Sequence, residues 1–416
     1  MLRSIATVSL SGVLLEKLDA ASAAGFDGIE LFEQDLTTSM LSPEEVRRAC
    51  DERGLAIMLL QPFRDFEGVD DAQFARNLER ARRKFDLMQR LGTSRILVCS
   101  SVALDTRADD ALIVEQLGRL ADLAREFDVQ AGYEALAWGG HVNQWRHAWE
   151  LVKTVDRREL GLVLDSFHIF ARGDTTEGVA QLPGERISFV QVADAPRLSM
   201  DVLQWSRHHR CFPGQGEFDI ATFTRDVLAS GYAGPLSLEV FSDLCRWRPA
   251  GETAADAYCS LVYLESIASV GADSVGTGHT APSPCVEAIA GVEFVEFAVN
   301  PSTARTLGQW LEHAGFMPAA RHHSKAAGLL LQGKTALVLN AQTPSFASKY
   351  HSAHGLSACA WAYRASDPQS LLERAKRLGY ERFEEQRQPQ EFRLEGVVGP
   401  GGSLHYFLEE GVSVST

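Results

Sequence analysis

The sequence is poor in the features that would place it in several broad classes. Its seven cysteines are scattered, odd in number and contain no C-x-x-C pair, which argues against a disulfide scaffold or a thiolate zinc ribbon. Cys99, Cys259 and Cys359 stand in apolar contexts and read as buried thiols of a reduced, cytoplasmic protein. No apolar run approaches the roughly 20 residues that a membrane helix needs. The opening M-L-R-S-I-A-T-V-S-L lacks a signal-peptide layout and reads as a first strand. Positive charge is scarce: 40 Lys and Arg face 55 Asp and Glu, for a net charge of -15. That balance speaks against nucleic acid or an anionic membrane as partner. No G-x-G-x-x-G follows an early strand, so a dinucleotide-binding open sheet is not expected.

What is present is a regular alternation. The 416 residues suggest two or three domains. Short apolar runs at Ile5, Gly28, Ala56, Arg95, Gln130, Gly161, Ile187 and Pro235 alternate with longer helical patterns. The helix at Ser42 to Gly54 shows the grammar clearly, with Ser42 as N-cap, Pro43 at the first position and Gly54 past its end. A long loop is expected from Ala193 to Phe218, containing H-H-R-C-F-P-G-Q-G-E-F-D. Eight strand–helix units over residues 1–270 predict an α/β fold, a (β/α)8 TIM barrel, with an open doubly wound sheet as the alternative. Residues 271–287 are small, polar and broken by prolines, and read as an interdomain linker. Residues 288–416 follow another order, βαβββ occurring twice.

Four predicted consecutive strands end in polar residues: Glu134, Asp165, Gln191 and Glu239. In a barrel, the C-terminal strand ends converge on one site. Three carboxylates and an amide offer oxygen ligands only, which suits a hard divalent cation, Mg²⁺ first, with Mn²⁺ or Co²⁺ as alternatives. Each residue alone is more simply read as a capping or salt-bridged group. Four at matching positions point to a metal, because like charges converging without a cation would raise one another's pKa. His168 lies three residues past Asp165 and is the expected general base, or else a group that orients a ligand. Glu30 and Glu33 end the second strand and could bond a hydroxyl or pair with an arginine.

The segments Y-E-A-L, L-D-S-F-H, V-Q-V-A-D and L-S-L-E-V, with the P-G-Q-G loop, resemble the xylose isomerase-like barrel superfamily over residues 1 to about 270. The resemblance implies that Glu134, Asp165, Gln191 and Glu239 hold a divalent metal. Many members carry His where this chain has Gln191, whereas hydroxypyruvate isomerase-like members carry Gln. Residues 288–410 resemble the N-terminal half of 4-hydroxyphenylpyruvate dioxygenase, a vicinal-oxygen-chelate fold. The pair Glu296-Phe297 stands where an iron-binding D-H pair would be, so no iron is expected there. A barrel fused to such a domain is the layout of bacterial two-domain 3-dehydroshikimate dehydratases, whose full-length members carry a further vicinal-oxygen-chelate portion.

That resemblance implies a small-molecule substrate, 3-dehydroshikimate, dehydrated to protocatechuate. The substrate bears a ketone, an α-hydroxyl, a β-hydroxyl and a carboxylate. Arg64 and Arg210 are the candidates for its carboxylate. Ser206, His208 and His209 are expected to line the mouth. A sugar or hydroxypyruvate isomerase on the same metal site is the alternative enzyme, and a non-enzymatic binding module is a third reading that the four strand-end ligands disfavour. The tail is expected to pack on its own barrel or a second subunit, giving a homo-oligomer.

Overall fold

The computed structural model describes residues 1–269, 289–384, 394–409 and 411. The chain divides into two compact units, Met1–Ala281 and Pro282–Thr416. The segment read as a linker, 271–287, lies outside the described residues. No described helix is long and apolar enough to cross a membrane.

The first unit is a closed eight-stranded barrel: β1 (Arg3–Ala6), β2 (Gly28–Phe32), β3 (Ala56–Phe63), β4 (Arg95–Cys99), β5 (Gln130–Glu134), β6 (Leu160–Asp165), β7 (Ile187–Val192) and β8 (Leu236–Leu238). Every strand runs parallel to the next, and β8 pairs with β1 to close the ring. Strand side chains alternate between two surroundings, as the period of two requires. Ile96, Val98, Leu162, Leu164 and Val190 join the large core beneath the helices. Their neighbours Leu97, Cys99, Val163 and Phe189 form a separate cluster that fills the barrel interior. Gly132 sits in that interior layer, where a Cβ would fall 2.5 Å from Val163 Cγ2. Continuing the alternation to the strand ends puts Glu134, Asp165 and Gln191 on the inward-facing side. The same fixed spacing places Glu30 on β2 and Glu239, one residue past β8, with them.

Most connecting helices follow their caps. The Ser42 side chain accepts a hydrogen bond from Glu45 N, and the Glu45 carboxylate accepts one from Ser42 N. Several short helices were not legible in the apolar pattern. Glu33–Thr38 begins where β2 ends, and Ser166–Ala171 starts directly after Asp165. Residues 135–144 form a loop, and the next helix begins at Trp145.

The expected long loop contains a helix, Val202–His208, capped by Asp201. The loop is pinned to the end of β7 by Asp194, which is buried. Its Oδ1 accepts from Ala195 N (2.8 Å) and Phe218 N (3.0 Å). Its Oδ2 accepts from Gly214 N (3.1 Å) and Gly216 N (3.0 Å). The P-G-Q-G glycines have a steric reason: Gly214 has φ +86°, and a Cβ on Gly216 would stand 2.3 Å from Asp194 Oδ1.

The second unit has the expected repeat. It begins with β9 (Ile289–Ala298), the helix Pro301–His313, β10 (Met317–Arg321), β11 (Ala327–Gln332) and β12 (Thr335–Asn340). A helix not read from sequence, Phe346–His354, leads to β13 (Ser357–Ala365). The helix Pro368–Arg377, β14 (Arg382–Glu384), β15 (Glu395–Val398) and β16 (Leu404–Glu409) complete the second repeat. All eight strands form one sheet in the order β10-β11-β12-β9-β13-β16-β15-β14. β9 and β13 pair antiparallel at the centre, and each runs parallel to the last strand of its own repeat.

Four backbone donors on one buried carboxylate make Asp194 the residue on which the loop's position rests. Asp194→Ala should lower unfolding free energy by about 3 kcal/mol, the cost of leaving several such donors unpaired. Urea denaturation measures this; a loss below about 1 kcal/mol would show that the loop is held by other contacts.

Candidate active site at the strand ends

The inward-facing strand-end residues form a buried acidic cluster. Glu30, Glu134, Asp165, Gln191 and Glu239 are each at most 5% exposed. Glu30 Oε2 accepts from Gln61 Nε2 (2.8 Å) and Gln191 Nε2 (2.7 Å), so the amide of Gln191 is fixed with its carbonyl free. Asp165 divides its two oxygens. Oδ1 caps the helix Ser166–Ala171 through Phe167 N (2.7 Å), and Oδ2 accepts from Arg210 Nη1 (2.9 Å). Asp165 therefore caps a helix and pairs with an arginine at once. Glu239 Oε2 accepts from the same Arg210 nitrogen (3.0 Å).

Burial is the largest influence on these acids and raises the pKa of all four carboxyls. Glu134 is pushed well above the carboxylate range by burial and then by the charges of Asp165 and Glu239. Glu30 is pushed up likewise, with Glu239 the main neighbouring charge. Arg210 opposes the rise at Asp165 and Glu239. One guanidinium bonded to two of four carboxylates leaves negative charge unbalanced in a dry site.

Three buried oxygens, Glu30 Oε1, Glu134 Oε1 and Gln191 Oε1, have no hydrogen-bond partner. Buried polar atoms are rarely left so. Lone oxygens beside unbalanced carboxylates fit a hard divalent cation, and Glu134, Asp165, Gln191 and Glu239 are the residues that could hold it. Glu134, Asp165 and His168 also present ligating atoms within 4.8 Å of one another.

His168 is buried on the helix Ser166–Ala171, its ring packed edge-on against Trp138 at 5.0 Å. Burial and then Arg210 push its pKa well below the usual value, so the ring is neutral at pH 7. Its Nδ1 accepts from Ala137 N (3.2 Å). Nε2 lies 3.5 Å from Asp165 Oδ2 and 3.9 Å from Glu134 Oε1. It also faces Arg210 Nη2 at 3.4 Å, so an N–H donor stands at each ring nitrogen. A neutral ring carries one hydrogen, which opposes Ala137 N–H if on Nδ1 and Arg210 if on Nε2; the shorter contact, to Ala137, favours Nε2.

The other expected residues separate into inner and outer positions. Arg210 is 2% exposed, and its donors are spent on Asp165, Glu239, Ser206 and His168. It does not stand free for a substrate carboxylate, because the acids claim it. Ser206 is fully buried and accepts from Arg210 Nη2 (2.8 Å), so it positions the arginine and does not line the mouth. His208 pairs with Asp243 (3.0 Å), and Glu33 pairs with Lys84 (2.5 Å). His209 is exposed. Arg64 is half-buried at the end of β3, with no partner for its guanidinium among the described residues.

Two contributors were missed. Gln61 lies two residues before the end of β3 and donates to Glu30; a polar residue directly after the apolar run Ala56–Leu60, it carried the same signal as Gln191. Arg207 lies on the helix Val202–His208, its guanidinium 4.6 Å from the Phe241 ring centroid and 5.9 Å from that of Trp138. It has no hydrogen-bond or ion-pair partner for its side chain among the described residues, and its pKa is lowered by burial and then by Arg64.. Its signal was the spacing Arg207–Arg210, visible only once a helix is placed there.

Comparisons with known proteins follow the same division of the chain. A family described as xylose isomerase-like TIM barrel matches residues 18–260, and one described as hydroxyphenylpyruvate dioxygenase, N-terminal, matches residues 285–412. The chain is 51% identical over 414 residues to a 3-dehydroshikimate dehydratase of Pseudomonas aeruginosa, covering 98% of this chain. It is 48% identical over 420 residues to a protein of the same name from Pseudomonas putida, covering 100% of this chain. The chain spans 65% and 66% of the length of these two relatives. A solved structure described as a xylose isomerase-like TIM barrel/4-hydroxyphenylpyruvate dioxygenase fusion protein superposes with a TM-score of 0.92 at 48% identity, covering 99% of this chain and 67% of its own.

The raised carboxyls fix the sign of a pH dependence. Folded Glu30, Glu134 and Glu239 bind protons more tightly than at their ordinary value of 4.5, so the folded state holds more protons than the unfolded state above that pH. Stability then falls as pH rises. EDTA-treated protein should lose urea stability between about pH 5 and pH 8, and saturating Mg²⁺ should reduce the loss. A flat or rising profile in the chelated protein would contradict the unbalanced cluster.

Proposed function

The chain belongs to the xylose isomerase-like TIM barrel family, and from that membership we propose that it is a metal-dependent 3-dehydroshikimate dehydratase acting through its barrel. The observation that carries this reading is the set of unbonded buried oxygens on Glu30, Glu134 and Gln191, grouped at the strand ends with Asp165 and Glu239. The full-chain likeness to dehydratases of that name supports it. We assign the cation to Glu134, Asp165, Gln191 and Glu239, with Mg²⁺ the first candidate. When bound, it supplies Lewis-acid stabilisation of negative charge on the substrate's oxygens.

The residues themselves account for the proton movements. The reaction removes the hydrogen on the carbon bearing the α-hydroxyl, expels the β-hydroxyl as water and tautomerises to the aromatic product. Glu134, whose Oε1 has no hydrogen-bond partner and lies beside His168, is the carboxylate placed to accept the proton. The proton it takes can leave with the hydroxyl, so one carboxyl serves as acceptor and then donor. We assign to neutral His168 a hydrogen bond donated from Nε2 to a substrate oxygen, which requires Arg210 Nη2 to turn away from that nitrogen. Arg210 holds Asp165 and Glu239 in place, and Ser206 holds Arg210. We assign the substrate carboxylate to Arg64 and Arg207, the two cations beside the site whose guanidinia have no hydrogen-bond or ion-pair partner among the described residues. An isomerase of neutral sugars would have no use for that pair.

The test is incubation with 3-dehydroshikimate and Mg²⁺, followed by absorbance of the aromatic product. Activity should vanish with EDTA and return with Mg²⁺ or Mn²⁺. His168→Ala should lower kcat by ~10²-fold or more, and His168→Gln, whose amide can still donate, should recover part of that loss. Equal inactivity of the Gln and Ala variants would return His168 to the role of base. Arg64→Ala and Arg207→Ala should each raise KM by about 10-fold or more, the scale of one charge-assisted bond. No aromatic product under any metal would overturn the proposal.

A further inference from the structure

A second group of ligating atoms lies on the loops that follow β4 and β5, built from residues with no part in the proposed reaction. Asp110 opens the helix Asp110–Glu126, His141 lies in the loop 135–144, and His147 is on the helix Trp145–Val155. His141 Nε2 is 2.7 Å and His147 Nε2 3.0 Å from the same oxygen, Asp110 Oδ1. The two rings meet edge to face with centroids 4.9 Å apart. Asp110 is held below the usual carboxylate range chiefly by its hydrogen bond to His141, so it is ionised at neutral pH.

We propose that Asp110, His141 and His147 form a second divalent-cation site, selective for Zn²⁺-class metals. Two imidazoles and one carboxylate are a three-ligand set that suits zinc, with a fourth position for water. The histidine side chains are 26% and 27% exposed and Asp110 is 58% exposed, so solvent can reach that position. Ligands about 2.0–2.1 Å from a tetrahedral zinc are separated by roughly 3.3 Å. The two nitrogen–oxygen spacings, 2.7 and 3.0 Å, are shorter than that, and all three ligating atoms lie within 4.8 Å of one another, so side-chain shifts of well under about 2 Å would seat an ion. Nitrogen ligands also set this site apart from the barrel's oxygen set, which favours harder cations.

An occupied site would join the segment after β4 to the one after β5. The latter carries Ala137, whose N–H holds His168 Nδ1, and Trp138, whose ring packs on His168. The cation would therefore brace the loop that orients the proposed donor. The site itself does not depend on that reading.

The experiment uses the full chain, stripped with EDTA and equilibrated with Zn²⁺ in dialysis, with bound metal counted. The wild type should bind one more equivalent than His141→Ala/His147→Ala. A Glu134→Ala/Glu239→Ala variant, altered only in the barrel, should keep that extra equivalent. Either histidine variant alone should weaken it by at least about 10-fold, since loss of even an outer partner costs that much. Circular dichroism confirms that each variant is folded. Equal zinc content and affinity in the wild type and the folded double histidine variant would overturn the proposal, leaving a hydrogen-bonded His–Asp–His stitch.

Discussion

Four carboxyl groups are buried where the ends of five barrel strands converge, and water is excluded from most of their surface. Desolvating an ion costs several kcal/mol even after the protein relaxes. The cost here is met only in part within the chain, by Arg210 on Asp165 and Glu239 and by Gln61 and Gln191 on Glu30. The remainder raises the proton affinity of the acids and leaves oxygens without partners. The site is thus built to gain from a cation.

The rest of the barrel unit holds that arrangement in place. Closure of the ring fixes which strand ends meet, and the pleat fixes which side chains point inward. Asp194 ties four backbone donors to the end of β7 and so sets the course of the loop carrying Ser206, Arg207 and Arg210. Ala137 N fixes the ring of His168. Each of these contacts is a hydrogen bond to a buried group, and together they convert a regular barrel into an oriented site.

Much of this was legible in the sequence. Short apolar runs ending in Glu, Asp, Gln and Glu give both the strand and the face, because a period of two leaves no freedom at the last residue. The βαβββ repeat was visible for the same reason. What could not be read depended on contacts between segments distant in sequence. The helix Val202–His208 is short and held by its loop, so no apolar period announces it. Without it, Arg210 and Ser206 look like rim residues, when one is buried against acids from β6 and β8 and the other against that arginine. The ring nitrogens of His168 face a backbone N–H 31 residues away and the Arg210 guanidinium 42 residues away. A sequence shows the imidazole and not what faces its nitrogens.

The strand-end acids are desolvated and short of compensating charge, so they hold protons above their ordinary pKa. Calorimetric titration of the metal-free chain with Mg²⁺ at pH 7, repeated in buffers of different ionisation enthalpy, tests this most directly. Magnesium is chosen because the imidazoles of the rim are poor ligands for it. The account predicts saturable binding with release of protons, because carboxyls with raised pKa values must lose them to take the cation. Binding without proton release, or no binding at all, would contradict it.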